Sequence, residues 1–136
     1  MAHTGILVDT AAPGGSAVDA FVAEGGNDET QAFVDAVAGG KGKLKQATDW
    51  LMNNALNNFD HAGAGSHDYL NLFGLTCLAY MWARMAKTAS AKIAAGDTDP
   101  IYAAKLKTGR YFLDRWVPEA AKLGGLAGPV GAQQSD

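Results

Sequence analysis

The sequence predicts an all-α protein, a bundle of about four helices around one central helix. Apolar residues recur at intervals of three and four along most of the chain, and Asp99-Pro100 is a strong helix start. No alternation of apolar and polar residues lasts long enough for a strand. The 136 residues are enough for one domain with a single core.

Composition and charge exclude several classes of function. The formal net charge is −3, and acidic and basic residues are mixed along the chain. We therefore expect neither nucleic-acid binding nor a polybasic membrane patch. No apolar run reaches the roughly 20 residues of a transmembrane segment. The single cysteine, Cys77, lies in an apolar helix, and the N-terminus lacks the features of a secretory signal, so we expect a cytoplasmic protein.

Glycine and proline divide the chain into three parts. Residues 1–15 contain one short apolar run and are expected to be an extended or disordered lead-in. Residues 16–123 are expected to form the helical bundle domain. Residues 124–136, which are rich in glycine, are expected to be a flexible tail.

The first helix is predicted to begin with Ser16 as its N-cap and to end at Gly25-Gly26. Its apolar face would consist of three residues: Val18, Phe21 and Val22.

Asn27 or Asp28 is expected to cap the second helical segment. Glycines interrupt this segment, each at a cost of about 1 kcal/mol relative to alanine, and they predict a break or a loosened turn at Gly39, Gly40 and Gly42. The alternative is one helix from about 28 to 57, held together by tertiary packing. After the glycines an apolar stripe comprises Leu44, Ala47, Leu51 and Ala55, and Lys45 and Asp49 form an i, i+4 pair.

The central helix is predicted over residues 66–95, with Ser66 or Asp68 as its cap and Gly96 at its end. Apolar side chains fall on nearly every angle of its helical projection, so we expect burial on several sides. The stretch before it, 53–66, is rich in asparagine and glycine and is expected to form a loop.

The last helix is predicted over residues 99–123, packed antiparallel to the central helix. Asp99 is a good N-cap, and Pro100 at the first helical position has no amide to leave unsatisfied.

Gly109 in the last predicted helix is expected to let this helix approach Ala79 or Ala83. Pro118 predicts a kink or a one-turn interruption at 114–117. The apolar stripe runs through Tyr102, Leu106, Gly109, Phe112 or Leu113, Trp116, Ala120 and Leu123.

We find no set of residues that predicts a catalytic, cofactor or metal site. The spacing in Asp60, His61, His67 and Asp68 fits no zinc motif, and these residues are interpreted as surface polar groups. The segment 97–99 lacks the glycine and the distant glutamate of a calcium loop.

Other reactive residue types also lack partners. Cys77 has apolar neighbours and is interpreted as a buried thiol rather than a nucleophile. None of the three glutamates, Glu24, Glu29 and Glu119, lies in an apolar stretch of the kind that activates a general acid or base. The glycines and lysines at 39–43 do not follow a strand, as a phosphate-binding loop requires.

Aromatic and basic side chains are concentrated on the last two predicted helices. Most are interpreted as core residues or a solvated face, but a subset is predicted to cover a neighbouring domain. The candidate interface residues are Tyr80, Trp82, Arg84, Tyr111, Arg115 and Trp116.

Three short sequence patterns carry a resemblance to a known family: Phe73-Gly74-Leu75, Trp82-Ala83-Arg84-Met85 and Tyr102-Ala103-Ala104-Lys105. With weaker likeness at 14–24 and 43–51, the chain resembles the C-terminal helical extension of bacterial acyl-CoA dehydrogenases (acetyl-CoA dehydrogenase C-terminal-like). In that family FAD and the acyl-CoA thioester bind to domains upstream of this region, which also supply the catalytic glutamate. The resemblance therefore implies no cofactor in this chain, with FAD only in the upstream domains of the parent enzyme.

Two functional hypotheses follow. The first is a non-catalytic accessory domain of an acyl-CoA dehydrogenase-like flavoenzyme that serves packing, subunit contact or active-site shaping in fatty acyl-CoA oxidation. Its partners would be the upstream catalytic domains of the same enzyme, in a homo-oligomer. The alternative is a stand-alone helical protein that binds an acyl chain or other apolar ligand, with an adaptable pocket formed by Met52, Met81 and Met85.

Overall fold

A computed structural model describes residues 17–54, 57 and 59–126, and these residues form four helices. They are α1 (Ala17–Glu24), α2 (Gln31–Asn54), α3 (Phe59–Ala94) and α4 (Pro100–Leu126). The described residues contain no strand, so the all-α prediction is confirmed. The predicted lead-in, the cap at Ser16 and the tail beyond residue 126 lie outside the described residues.

Asn27 links the start of α2 to the C-terminal end of α3. Its Oδ1 accepts hydrogen bonds from the Glu29 and Thr30 amides, each at 3.0 Å, so of the two predicted caps Asn27 is confirmed. Its own amide donates to Thr30 Oγ1 at 3.0 Å, a reciprocal pair of the capping-box kind. Its Nδ2 donates to Ser90 Oγ of α3 at 2.7 Å. Before it, Gly25 ends α1 with φ at +71°, as predicted.

Helix α2 runs through the glycines at 39, 40 and 42 without a break. The predicted break is therefore wrong, and the alternative of one helix is confirmed with bounds Gln31–Asn54. The reason is tertiary: a β-carbon at Gly40 would lie 2.9 Å from Trp116 Cζ2 of α4 and 3.0 Å from Thr76 Oγ1 of α3. The missing side chain lets three helices meet, and this packing offsets the low helix propensity.

Helix α3 begins at Phe59, seven residues before the predicted start. Neither Ser66 nor Asp68 is a cap, because both lie inside the helix; the Ser66 hydroxyl donates to the Gly63 carbonyl at 2.9 Å. The loop predicted over 53–66 is thus partly helical. Gly65 is buried, and the burial of this turn offsets the local cost of glycine.

The turn between α3 and α4 agrees with the sequence prediction. Gly96 has φ at +90°. Its amide donates to the Ile93 carbonyl, and the Asp97 amide donates to the Lys92 carbonyl, each at 3.0 Å. Asp99 Oδ1 accepts from the Ile101 amide at 3.0 Å, and Pro100 is the first residue of α4. Local chemistry therefore defines this turn.

Helix α4 continues past its predicted end at residue 123 to Leu126. No interruption occurs at 114–117, although Pro118 lies inside the helix. Trp116 and Ala120, which flank the proline, are both buried. Proline has no amide to donate to the carbonyl four residues earlier. The packing of Trp116 and Ala120 offsets the loss of this hydrogen bond, so the helix continues.

Helix α3 lies between the other three helices. Trp116 reaches Leu75 and Phe112 stacks on Trp82, so α4 runs antiparallel to α3 as predicted. Helix α2 is also antiparallel to α3, because Thr48 contacts Tyr69 and Asn27 contacts Ser90. Helix α1 lies along α3 through the contacts Phe21–Tyr80 and Glu24–Lys87.

The face of α3 toward the core is lined by small residues, Ala79, Ala83 and Ala86, which let the neighbouring helices approach closely.

Gly109 is a second close approach, with partners other than those predicted. A β-carbon there would lie 3.1 Å from the ring of Phe33 on α2 and 3.2 Å from Trp82 Cε3. The nearest atoms thus belong to two aromatic rings rather than to Ala79 or Ala83. The glycine on α4 makes room for one ring from α2 and one from α3.

Candidate functional site

The outer face of α3 carries an exposed apolar stripe, which we define as Leu70, Leu78 and Met81. Their side chains are 68%, 50% and 52% exposed. The exposed Gly74 lies between the two leucines, so the stripe follows one side of the helix at spacings of three and four. The expectation that α3 is buried on several sides is thus incomplete, because three helices flank it and this face stays open.

The stripe leads into an open groove between α3 and α4, the α3–α4 groove, with a volume of about 420 Å³. Met81 belongs to both surfaces. The groove is lined by Met81, Arg84, Met85, Thr88, Ala89, Ile101, Tyr102 and Lys105. Of the methionines predicted to form an adaptable pocket, Met81 and Met85 line this groove, whereas Met52 is 76% exposed on α2.

The charged groups of the α3–α4 groove are all cationic. Arg84 lies over the Tyr80 ring at 5.7 Å, and the Lys105 ammonium lies 6.0 Å from the centre of the Trp82 ring. Neither forms an ion pair with any residue that the structure describes, and the lining contains no carboxylate. The ring contacts hold both cations at the surface and leave their charge uncompensated.

The six predicted interface residues do not form one patch. Tyr80 packs edge-on against Phe21 of α1 at 5.4 Å, whereas Trp82 stacks on Phe112 of α4 at 5.9 Å, on the other side of α3. Tyr111 is 60% exposed, with the Arg115 guanidinium 4.8 Å from its ring.

Trp116 is the one predicted interface residue that lies in the core. It is 5% exposed, and its indole N–H donates to the Leu75 carbonyl at 2.8 Å. It is therefore not available as a surface anchor. Sequence reasoning also missed Leu70 and Leu78. The signal was the excess of apolar side chains on α3, more than three flanking helices can cover.

A second groove, of about 600 Å³, lies between α2 and α4. Its charged lining residues include both signs: Asp35, Lys43, Arg110 and Asp114. Because the charges balance, this groove has no preference for the sign of a ligand's charge.

A comparison against protein families matches the part of the chain that contains the four helices. The family model described as acetyl-CoA dehydrogenase C-terminal like matches residues 15–127, which include all four helices. The chain belongs to this family. Comparison with curated proteins gave no match, and comparison with solved structures gave none either.

The polar residues of this acetyl-CoA dehydrogenase C-terminal-like domain are dispersed. His67 lies on α3 with Nε2 at 3.2 Å from Asn71 Nδ2, and Asp60 lies in the first turn of the same helix. The side chain of His61 is outside the description. No three His, Cys, Asp or Glu side chains group as metal ligands within the described ranges. In the same part of the chain, no helix is long and apolar enough to cross a membrane.

Cys77 and the glutamates of the domain have structural surroundings. Cys77 is half-buried on α3, and burial raises the pKa of its thiol, which disfavours the reactive thiolate. Glu24 pairs with Lys87 at 3.0 Å, and Glu29 Oε2 accepts from Ser90 Oγ at 3.4 Å. Glu119 is exposed on α4. Each of these groups lies apart from the α3–α4 groove.

Proposed function

We propose that this chain is a non-catalytic accessory domain that packs on the catalytic body of an acyl-CoA dehydrogenase-like flavoenzyme of fatty acyl-CoA oxidation. The observation that supports this most directly is the exposed apolar stripe on α3. Leu70, Leu78 and Met81 leave at least half of their surface in water, although their helix is the central one of the bundle. Burying a large apolar side chain yields about 1.5–3 kcal/mol when burial is complete.

The proposal gives the domain a packing role. The stripe would lie against an apolar surface of the catalytic body or of a second subunit, in a cytoplasmic homo-oligomer. FAD and the acyl-CoA thioester would be held by upstream domains, and this domain would influence the active site only through the position of the surface it covers. Family membership supports this arrangement, and so does the dispersion of the polar residues.

The test uses the enzyme expressed from the complete reading frame that contains this chain. Replacing Leu70 and Leu78 together by asparagine should weaken the contact of this domain with the body or the second subunit. We expect a smaller assembly on size exclusion and faster proteolytic release of the domain. The visible absorbance of the flavin should be retained, because the proposal assigns FAD binding to the upstream domains.

The matched control is Val117→Asn. Val117 is 50% exposed, like Leu78, but lies on α4 away from the stripe. The Val117→Asn variant should therefore leave the size of the assembly and the rate of proteolytic release unchanged. The proposal fails if the reading frame encodes no flavin-binding body, or if the stripe variant behaves like the Val117 control.

A further inference from the structure

The α3–α4 groove differs in charge from the rest of the molecule. The chain carries a formal charge of −3, yet the groove presents Arg84 and Lys105 and no acid. Both cations are exposed, one on each wall. An anion placed between them would gain two favourable interactions and would displace no existing ion pair among the described residues.

The groove also has an apolar part. Met81, Met85 and Ile101 contribute flexible or branched side chains to its lining, and the buried Ala89 adds a small apolar surface. Methionine adapts to irregular apolar partners because its side chain is unbranched and polarizable. The volume of about 420 Å³ is within the range of small-molecule sites, about 300–1,000 Å³.

Two hydroxyl groups complete the site. Thr88 and Tyr102 both line the groove, and neither hydroxyl bonds to another described residue. By contrast, the hydroxyls of Thr48 and Thr76 each donate to the carbonyl four residues earlier. Two donors are thus available beside two cations, a combination that suits the oxygens of an anionic head group.

We infer that the α3–α4 groove binds a small amphiphile with an anionic head, a carboxylate or a phosphate, and a flexible apolar arm. The head lies between Arg84 and Lys105, and the arm lies against Met81, Met85 and Ile101. The groove shares Met81 with the exposed apolar stripe, but the inference does not require the packing role proposed above. Its failure would leave that role untouched.

Methionine methyl groups provide the test. The chain has four methionines, so protein labelled with ¹³C at the methionine methyls gives few signals. We would titrate it with decanoate, decyl phosphate and the neutral decanol, each below its aggregation limit. Decanoate or decyl phosphate should shift Met81 and Met85 saturably and leave Met52, outside the groove, unchanged. The head with the higher affinity identifies the preferred anion, and both results agree with the inference.

Charge variants make the test specific. Arg84→Gln combined with Lys105→Gln should weaken binding of the anionic probes on the order of 10-fold, because both cations that face the anionic head are removed. Decanol binding should not change. Lys107→Gln removes one charge from an exposed site on α4 outside the groove and should have no effect.

Several results would overturn the inference. These are equal affinity for decanol and decanoate, shifts at Met52 that parallel those at Met81 and Met85, and the absence of a saturable shift. All three substituted cations are exposed, so the fold should persist, and circular dichroism checks this for every variant.

Discussion

Gly40 lies directly against the indole ring of Trp116, close enough that a β-carbon at position 40 would be 2.9 Å from Cζ2. The same β-carbon would be 3.0 Å from Thr76 Oγ1. Helices α2, α3 and α4 therefore meet at one residue that has no side chain. Thr76 is fully buried there, and its hydroxyl is already bonded to the Leu72 carbonyl at 2.8 Å, so it has little freedom to move away.

This junction predicts opposite effects for neighbouring glycines. Gly40→Ala should lower the free energy of unfolding by up to about 2 kcal/mol, because overpacking costs about 1–3 kcal/mol and the gain in helix propensity is about 1 kcal/mol. Gly39→Ala should raise it by about 0.5–1 kcal/mol, since a β-carbon there meets nothing within 4 Å. Urea unfolding of both variants measures the difference, and equal stabilities would contradict this account of the junction.

Trp116→Phe tests the contact of α4 with the α3 backbone. The substitution removes the indole N–H that donates to the Leu75 carbonyl at 2.8 Å and leaves a space in the core. We expect a loss of about 2–3 kcal/mol, of which about 1 kcal/mol is the hydrogen bond. The control Trp82→Phe changes a half-buried ring that stacks on Phe112 and should cost less. If Trp82→Phe loses more stability than Trp116→Phe in chemical denaturation, Trp116 does not make the main contact of α4 with α3.

The double role of Asn27 can be separated by substitution. Asn27→Ala removes both the cap of α2 and the bond to Ser90, and should cost about 1–2 kcal/mol. Asn27→Asp keeps the acceptor oxygens of the cap and loses only the Nδ2 donor, so its cost should be smaller.

A double-mutant cycle of Asn27→Ala with Ser90→Ala isolates the link between α2 and α3. We expect a coupling energy of about 0.5–1.5 kcal/mol, the usual net contribution of one hydrogen bond. Additive losses in thermal or urea unfolding would show that the bond between these side chains contributes nothing to stability.

Cys77 predicts a pH dependence at the alkaline end. Burial raises the pKa of its thiol above the ordinary 9.0, so above about pH 9 the unfolded chain loses this proton before the folded protein does. The unfolded state then binds fewer protons, and the free energy of unfolding falls as pH rises from about 9 toward the folded pKa. Lysines and tyrosines also titrate there, so the measured quantity is the difference between the native protein and Cys77→Ala.

The variant should lose stability less steeply above pH 9 than the native protein, and the two should run parallel between pH 6 and 8. Alkylation of Cys77 by iodoacetamide should also be slower in the folded protein than in urea, because the thiolate is the reacting form. Identical slopes above pH 9 would mean that ionisation of the half-buried Cys77 thiol does not affect stability.

The sequence indicated many residues of the candidate site, but it did not indicate which of them lie together. The pattern around Arg84 and the basic character of α4 were visible, as were the methionines at 81 and 85. The interhelical register decides that Arg84 and Lys105 line one groove while Tyr80 turns toward α1. Trp116 and Tyr111 look alike as aromatics on a helix, yet one is in the core and the other is 60% exposed.

By itself the sequence determined the helical class, the family and the turn from Gly96 to Pro100. The turn depends on residues within about one helical turn of each other, where caps and the positive φ of glycine act. The helical class and the family depend on residue patterns that are read along the chain without any knowledge of tertiary contacts. The tertiary structure alone decided that α2 crosses its glycines, that α3 begins at Phe59, and that one face of α3 stays uncovered. Each of these outcomes depends on contacts between residues far apart in the chain, and such contacts outweigh local preferences of about 1 kcal/mol per residue.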